Sequence, residues 1–206
     1  MERFARIIVG YHGCSAEFAK MLLLGKQAIG DWKPSENQWD WLGKGIYFWE
    51  HSPERALRWA QDKFRGRRGV PSVVGAIIQL GDCFDLTNEG FVEILGDSFK
   101  ELKKAFEAEG VDLPKNTTTA GKRRELDCLA INHCLERQED ADRRYDSVRG
   151  AFLEGQPVFD GTTISKETGR TTHSGRRSQF TGRPTFQVGR TRPFSSRQYA
   201  ESSRPT

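Results

Sequence analysis

Two short apolar segments end on residues whose side chains could do chemistry beside glycines. Residues 9–14 read VGYHGC, and residues 43–50 read GKGIYFWE. His12 offers a hydrogen-bond donor or acceptor whose charge changes near neutral pH. In a strand, Tyr47 and Trp49 would share one face, because successive side chains alternate. That face could stack on a flat heterocycle.

The glycines of the two segments add a second feature. Gly10, Gly13, Gly43 and Gly45 permit close approach of the backbone to a ligand, because they lack a side chain. Taken singly, a glycine of this kind indicates a bend or a bulge, and a tyrosine in an apolar strand is a core residue. Taken together with His12, they predict a cleft with an imidazole, a backbone amide and an aromatic surface, which fits a nicotinamide-bearing ribose.

Hydrophobic periodicity predicts the elements that position these residues. Ser15, the Ser52-Pro53 pair and Thr87 are predicted to start helices, since serine and threonine favour the capping position and proline the first turn. Alternating early strands and helices without a repeat indicate a single α+β domain. The predicted strands are 6–11, 45–49 and 73–80, the predicted helices are 15–24, 52–64, 87–109 and 122–137, and residues 147–160 are expected to be extended or looped.

Length and composition bound the class of protein. The 206 residues suit one domain with an appendage or two very small domains. No apolar segment approaches the ~18 residues of a membrane span, and the N-terminus lacks the apolar region of a signal peptide. Four scattered cysteines, Cys14, Cys83, Cys128 and Cys134, are expected to be reduced. We expect a cytoplasmic protein that binds no membrane.

The sequence suggests no metal. Cys128, His133 and Cys134 lie close in sequence, but no second ligand pair has the spacing of a zinc finger. We interpret these residues as part of the core.

The two segments resemble motifs of a known family. YHG in the first strand, then G-x-GIYF in the second, then Ser-Pro and a helix with Ala and Trp, is similar to the ADP-ribosyltransferase fold. The resemblance is to the His-Tyr-Glu branch of poly(ADP-ribose) polymerases and diphtheria toxin, and it covers about residues 6–167. It implies a split β-sheet core with flanking helices and NAD as a substrate.

The resemblance also implies roles for individual residues. His12 would hydrogen-bond the nicotinamide-side ribose or neighbouring atoms of NAD, Gly13 would hold the carboxamide through its backbone, and Tyr47 would stack on the nicotinamide ring. A third residue, an acid or a glutamine opening a later strand, would bind the ribose 2′-OH and stabilise the oxocarbenium ion. Glu167 is the best-placed candidate. Glu154 is the alternative, although its glycine- and proline-flanked setting is typical of a target-recognition loop.

The segment after Glu167 departs from the family pattern. From Thr168 to Thr206 there are eight Arg, no Lys and one acid, Glu201, so this segment carries +7 and residues 1–167 carry −3. Only six of these 39 residues are apolar. We expect no central strand from this composition. The predicted organisation is a domain of residues 1–167 and a basic, low-complexity, disordered tail of residues 168–206.

Three interpretations of the tail remain open. Residues 172–177 can be encoded by ACA CAT TCA GGT CGC CGT, and reading one base later gives His-Ile-Gln-Val-Ala, an apolar strand with the family's His-x-Gln pattern. We therefore hypothesise a frame-shifted reading from about residue 170, which the gene's nucleotide sequence tests. The alternative is a basic arm that binds nucleic acid, or a solvated tail without a function.

The leading functional hypothesis is transfer of ADP-ribose from NAD to a protein or nucleic-acid acceptor. The resemblance suggests a toxin or defence factor, with an antitoxin or regulatory partner. An NAD glycohydrolase and an RNA 2′-phosphotransferase use related folds and are alternatives. A catalytically inactive NAD-binding module is a further alternative. Residues 30–42 and 147–160 are expected to select the acceptor, with Arg149 and Gln156 as contacts.

Overall fold

The computed structural model of the chain describes residues 6–28, 32–117, 123–152 and 169–174, the last of these as backbone. These residues form four helices and a six-stranded sheet. The strands are β1 (Ile7–Ser15), β2 (Ile46–Glu50), β3 (Pro71–Gln79), β4 (Cys83–Asp85), β5 (Ser147–Phe152) and β6 (Gly169–Ser174). The helices are α1 (Ala16–Leu23), α2 (Pro53–Phe64), α3 (Glu89–Glu109) and α4 (Glu125–Asp140).

The sheet has the strand order β3-β1-β2-β6-β5-β4. All neighbouring strands are antiparallel except β4 and β5, which are parallel. This mixed arrangement is consistent with the predicted α+β class. No helix among the described residues is long and apolar enough to cross a membrane.

The predicted helix caps are only partly confirmed. Ser15 caps α1, because its side chain accepts a hydrogen bond from the Phe18 amide at 3.2 Å. α2 begins at the predicted proline, but Ser52 makes no capping hydrogen bond. α3 is capped by Asn88 instead of Thr87. The Thr87 hydroxyl donates to the Asp85 carboxylate at 2.6 Å, so it is occupied elsewhere.

Strand β6 corrects the expectation that no central strand could form after Glu167. Gly169–Ser174 lies between β2 and β5 and pairs with both. Backbone hydrogen bonds to two neighbours can hold a polar segment in a sheet, because ladder bonds do not depend on the side chains. The sheet therefore includes the first part of the segment that was assigned to the tail.

The register of β1 and β2 assigns their side chains to two faces. Tyr11 is opposite Trp49, so it shares a face with Trp49 and Tyr47, and α2 covers that face around Gly13. We call this the α2 face. His12 lies on the other face, with Phe48 and Glu50. We call this the α1 face, because Phe18 and Leu22 of α1 pack there against Cys14 and Val74.

The largest part of the core lies between the sheet and α4. It is built around five residues that are at most 3% exposed: Leu42, Phe84, Ile131, Cys134 and Val148. Cys128 of α4 is also buried at 2% exposure. The interpretation of Cys128 and Cys134 as core residues is therefore confirmed.

Candidate functional site

β1 and β2 pair with each other only at the C-terminal end of β2. Their pairing consists of Gly10 with Glu50 and Tyr11 with Trp49. β1 pairs with β3 along its whole length, from Ile7 to Ser15. The two strands that carry the predicted site residues therefore diverge beyond Tyr11, where His12 and Gly13 follow in β1.

His12 bridges the point of divergence. Its Nδ1 lies 2.8 Å from the carbonyl oxygen of Tyr47. A carbonyl can only accept, so Nδ1 carries the proton and donates it, which leaves Nε2 as the acceptor of the neutral ring. The pKa of His12 is lowered by burial, although the bond to the Tyr47 carbonyl acts in the opposite direction. The imidazole is therefore neutral at pH 7.

Aromatic rings surround the His12 imidazole on the α1 face. The ring centroids of Trp32, Phe48 and Phe18 lie at 5.0, 5.7 and 6.3 Å from that of His12. Trp32 stacks on Phe48 at 5.7 Å, and its buried Nε1 has no hydrogen-bond partner. This apolar wall explains the desolvation of His12 and fixes its ring orientation.

Gly13 directs its backbone into the gap between the diverging strands. The Val9 carbonyl accepts a hydrogen bond from the His51 amide, so it points towards the β2 side. In an antiparallel strand the N–H and C=O of one residue point to the same side, and this side alternates along the chain. The peptide groups of Tyr11 and Gly13 therefore point the same way as those of Val9. At Gly13 the β2 pairing has already ended.

Packing requires glycine at Gly13. A side chain there would collide with the carbonyl oxygen of Ala56, and an added Cβ would lie 3.1 Å from the Trp59 ring. At Gly10, an added Cβ would lie 2.7 Å from Ile78. These contacts give two of the glycines a packing reason that the sequence pattern did not reveal.

Both backbone conformation and packing require glycine at Gly43. Its φ is +82°, in the region that favours glycine, and an added Cβ would lie 2.6 Å from Oδ1 of Asn132. The same Oδ1 accepts a hydrogen bond from the Lys44 amide at 3.0 Å. Asn132 of α4 thus holds the loop that enters β2.

The Tyr47 carbonyl contacts His12, but the Tyr47 ring lies on the α2 face of the sheet, opposite to the face of the His12 ring. The hydroxyl accepts a hydrogen bond from the Leu42 amide at 2.9 Å and donates one to the Gly43 carbonyl. Burial raises the pKa of Tyr47 above its ordinary value. The ring packs against the core residues around Val148.

The aromatic surface expected from Tyr47 and Trp49 is covered in this structure. The two residues do share a face, as predicted, but Trp49 is only 5% exposed and its ring centroid lies 5.6 Å from that of Trp59. α2 covers Trp49, because Ala56 and Ala60 are small enough to let the helix approach the sheet. Trp59 is the aromatic residue that lies beside Gly13.

Trp59 and Trp32 are the residues of this region that the sequence analysis did not single out. Trp59 lies next to Gly13 on the α2 face, and the Lys63 ammonium lies 4.7 Å from its ring centroid. Its position one turn after Ala56 was the available signal, since residues three apart share a helix face. Trp32 belongs to a loop, where periodicity gives no signal.

A buried ion network crosses the sheet on the α1 face. Arg149 donates to both carboxylate oxygens of Glu50, at 2.7 and 2.9 Å, and to Asp85 at 3.1 Å. The three side chains are 14%, 2% and 4% exposed, respectively. Arg149 and Phe48 flank the same β6 residue, Thr172, so the Arg149–Glu50 pair spans β6. The guanidinium expected to contact an acceptor is thus paired with two carboxylates.

Three predicted site residues lie outside the described residues. They are Glu167 and Glu154, the candidates for the third catalytic residue, and Gln156, an expected contact of the acceptor. Within the described backbone, the residue that pairs with Tyr47 is His173 of β6. No group of three or more metal-ligating side chains is found among the described residues.

Comparison with protein-family models, curated proteins and solved structures found no match to this chain. The interpretation of the site therefore depends on its residues and geometry.

Proposed function

We propose that the chain transfers ADP-ribose from NAD to a protein or nucleic-acid acceptor and releases nicotinamide. NAD is the substrate, and the residues at the divergence of β1 and β2 bind its nicotinamide end. The proposal extends the motif resemblance of VGYHGC and GKGIYFWE. It includes the split-sheet ADP-ribosyltransferase fold as part of the same hypothesis.

The reaction requires little covalent chemistry from the protein. The bond between C1′ of the ribose and the pyridinium nitrogen breaks, and its electron pair leaves with neutral nicotinamide. The ribose passes through an oxocarbenium-like state. A nucleophilic atom of the acceptor then forms the new bond to C1′ and loses its proton to solvent or to a base. The protein must orient NAD, exclude water and stabilise the developing positive charge.

His12 and Gly13 supply the orientation in this proposal. The His12 Nε2, left as an acceptor by the Nδ1–H bond to the Tyr47 carbonyl, accepts a hydrogen bond from a ribose hydroxyl. The Gly13 peptide groups hold the carboxamide of nicotinamide, which presents one donor and one acceptor group. Trp59 provides the aromatic surface next to Gly13.

The observation that carries the proposal is the 2.8 Å contact between His12 and the Tyr47 carbonyl. It fixes the tautomer of a neutral histidine at the point where two strands separate. This tautomer leaves Nε2 as the acceptor of the imidazole, to which a ligand hydroxyl can donate. That feature favours a ligand-binding role.

The test uses NAD labelled on the adenylate side, incubated with the purified chain and a cell extract. Wild type is compared with His12→Asn and with the matched control His51→Asn. His51 is outside the proposed site and has φ of 53°, a conformation that asparagine tolerates. We expect labelled macromolecules with wild type and His51→Asn, and a loss of ~100-fold or more with His12→Asn.

The outcomes separate the competing functions. Equal labelling by wild type and His12→Asn would refute the site. Nicotinamide release without a labelled acceptor would indicate an NAD glycohydrolase. NAD binding in calorimetry without turnover would indicate an inactive binding module, and the absence of both binding and turnover would refute the proposal.

A further inference from the structure

The loop that joins α2 to β3 concentrates positive charge on the surface. Residues 65–69 read RGRRG, and we call them the basic loop. Arg65, Arg67 and Arg68 are exposed. Arg65 pairs with Asp62 at 2.7 Å, whereas the salt bridges among the described residues involve neither Arg67 nor Arg68. Two guanidinium groups are therefore available to an anionic partner.

The backbone of the basic loop has a defined conformation. Gly66 and Gly69 have φ of +70° and +126°, in the region that favours glycine. The Arg67 amide donates to the Phe64 carbonyl at 3.0 Å, and a Cβ added at Gly69 would lie 2.8 Å from the Phe64 ring. The loop thus packs on Phe64 while its arginines remain exposed.

The basic loop lies at the open end of the proposed site. β1 and β2 diverge beyond Tyr11, so the gap between them widens towards Ser15. At this end Ser15 pairs with Pro71, and the Ala16 amide donates to the Val70 carbonyl at 2.8 Å. Since Val70 directly follows the basic loop, an acceptor that enters the gap from this end passes the arginines.

Lys63 of α2 lies between the basic loop and the residues of the site. Its ammonium is 4.7 Å from the ring centroid of Trp59 and 5.9 Å from that of Phe64. Burial lowers the pKa of His12, and the Lys63 charge acts in the same direction. Burial also lowers the pKa of Lys63, and the nearby Arg67 contributes to this effect. Positive charge therefore extends from the His12 ring to the basic loop.

This combination of groups fits the chemistry of a nucleic-acid strand. Guanidinium groups bind phosphate oxygens with two parallel hydrogen bonds, and successive phosphates of a strand can engage several cations at once. Aromatic rings beside a basic surface, here Trp59 and Phe64, are typical of proteins that bind single strands. A protein partner would favour a surface with an apolar centre. The basic loop contains no apolar side chain besides its glycines.

We propose that the basic loop binds the phosphates of a single-stranded nucleic acid and that this strand, rather than a protein, is the acceptor of ADP-ribose. The acceptor assignment rests on the function proposed above. An N–H or O–H group of a nucleotide forms the bond to C1′ of the ribose as the bond to nicotinamide breaks, and its proton passes to solvent. A single strand is required because bases paired and stacked in a duplex are not accessible to the site.

The binding test compares wild type with Arg67→Gln/Arg68→Gln, each as the full chain and checked for folding by circular dichroism. The matched control is Lys103→Gln/Lys104→Gln, which removes the same charge from exposed positions of α3. Fluorescence anisotropy measures binding of labelled DNA and RNA single strands of about 16 nucleotides at several salt concentrations. The loop variant should bind ~10-fold more weakly and show a salt slope smaller by ~1–2, with the control within about twofold of wild type.

The transfer test supplies labelled NAD with either the single strands or a nuclease-treated protein extract. We expect label on the strands and not on the proteins. At strand concentrations below saturation, the loop variant should transfer ~10-fold less label than wild type, because its strand affinity is lower. NAD affinity, measured by calorimetry without a strand, should be equal in the loop variant and wild type.

Three outcomes would overturn the proposal. Equal strand binding by wild type and both variants would exclude the basic loop and would indicate that another part of the chain, such as the basic tail, binds the strand. A loss of NAD affinity in the loop variant would assign the arginines to the diphosphate of NAD. Label on proteins alone would refute the nucleic-acid acceptor while supporting ADP-ribose transfer.

Failure of the proposed function gives a different result. A chain that neither binds nor cleaves NAD refutes ADP-ribose transfer, and with it the acceptor role of the strand. Weaker strand binding by the loop variant alone would still support the basic loop as a phosphate-binding surface.

Discussion

Arg149→Met should be among the most destabilising single substitutions in the sheet. The side chain of Arg149 links Glu50 of β2 to Asp85 of β4 across β6. Methionine keeps part of the aliphatic volume but removes three charge-assisted hydrogen bonds. Glu50 and Asp85 are 2% and 4% exposed, so water cannot replace the lost guanidinium without opening the sheet.

The expected magnitude follows from which carboxylate loses more of its hydrogen bonds. Asp85 keeps its contact with Arg6 at 2.7 Å and its hydrogen bonds from Thr87. Glu50 loses both bonds of the bidentate pair. Removing one partner of a buried ion pair costs about 3–5 kcal/mol, which is a large part of the ~5–15 kcal/mol that stabilises a typical domain. We expect a loss in this range.

The assay is urea unfolding followed by tryptophan fluorescence, with the free energy of unfolding obtained by linear extrapolation. The double variant Arg149→Met/Glu50→Gln removes the charge on Glu50 and should recover part of the loss. The matched control is Arg65→Met. Arg65 directly follows α2 and its partner Asp62 is an exposed residue of that helix, so this change should cost less than ~1 kcal/mol.

Two results would contradict the reasoning. If Arg149→Met cost no more than Arg65→Met, the ion network would contribute little to stability. If the double variant were as unstable as the sum of its single substitutions, the two residues would not be coupled. Amide hydrogen exchange gives an independent readout, since the pair spans β6 and its loss should increase exchange in that strand.

Three further predictions concern the proposed site. Gly13→Ala should destabilise the fold by ~1–3 kcal/mol or more, because a side chain there meets the backbone of α2. In the control Gly96→Ala within α3, the new Cβ meets no atom within 4 Å, so this change should stabilise the fold by ~1 kcal/mol. Urea unfolding of both variants compares them, and equal effects would argue against the packing account. The lowered pKa of His12 means that the unfolded chain binds this proton more readily. Stability should therefore fall as the pH decreases below 6.5, by at most ~1.4 kcal/mol per pH unit, and His12→Gln should remove that part of the slope. Tyr47→Phe should cost ~1–3 kcal/mol in thermal or urea unfolding, because two buried backbone groups lose their partner; an unchanged stability would show that water or rearrangement replaces the hydroxyl.

Some elements could be predicted closely from local sequence. Proline at the first position of α2 and serine before α1 mark helix starts through backbone geometry and short-range hydrogen bonds. The prediction of Thr87 as the cap of α3 was wrong, because the Thr87 hydroxyl donates to Asp85 and the Asn88 side chain caps the helix instead. Which of several polar residues caps a helix depends on neighbours that are far apart in sequence.

β6 is a strand that amino-acid composition does not predict. Its sequence, GRTTHS, contains no large apolar residue, and propensity alone argues against a central strand. The strand exists through backbone pairing with β2 and β5, both of which come from other parts of the chain. Strand propensity reports mainly how a side chain fits its neighbours, so a segment with two paired neighbours can override it.

The sequence by itself singled out the features on which the site prediction depends: the histidine and tyrosine beside glycines, the helix that follows them, and the alternation that puts Tyr47 and Trp49 on one face. Only the tertiary structure decided how they meet. In the structure the Tyr47 ring packs into the core and the Tyr47 carbonyl fixes the His12 tautomer. Gly13 packs against α2, and His173 pairs with Tyr47 in the sheet. These contacts join segments tens of residues apart, and the strand register that sets them arises from the whole sheet.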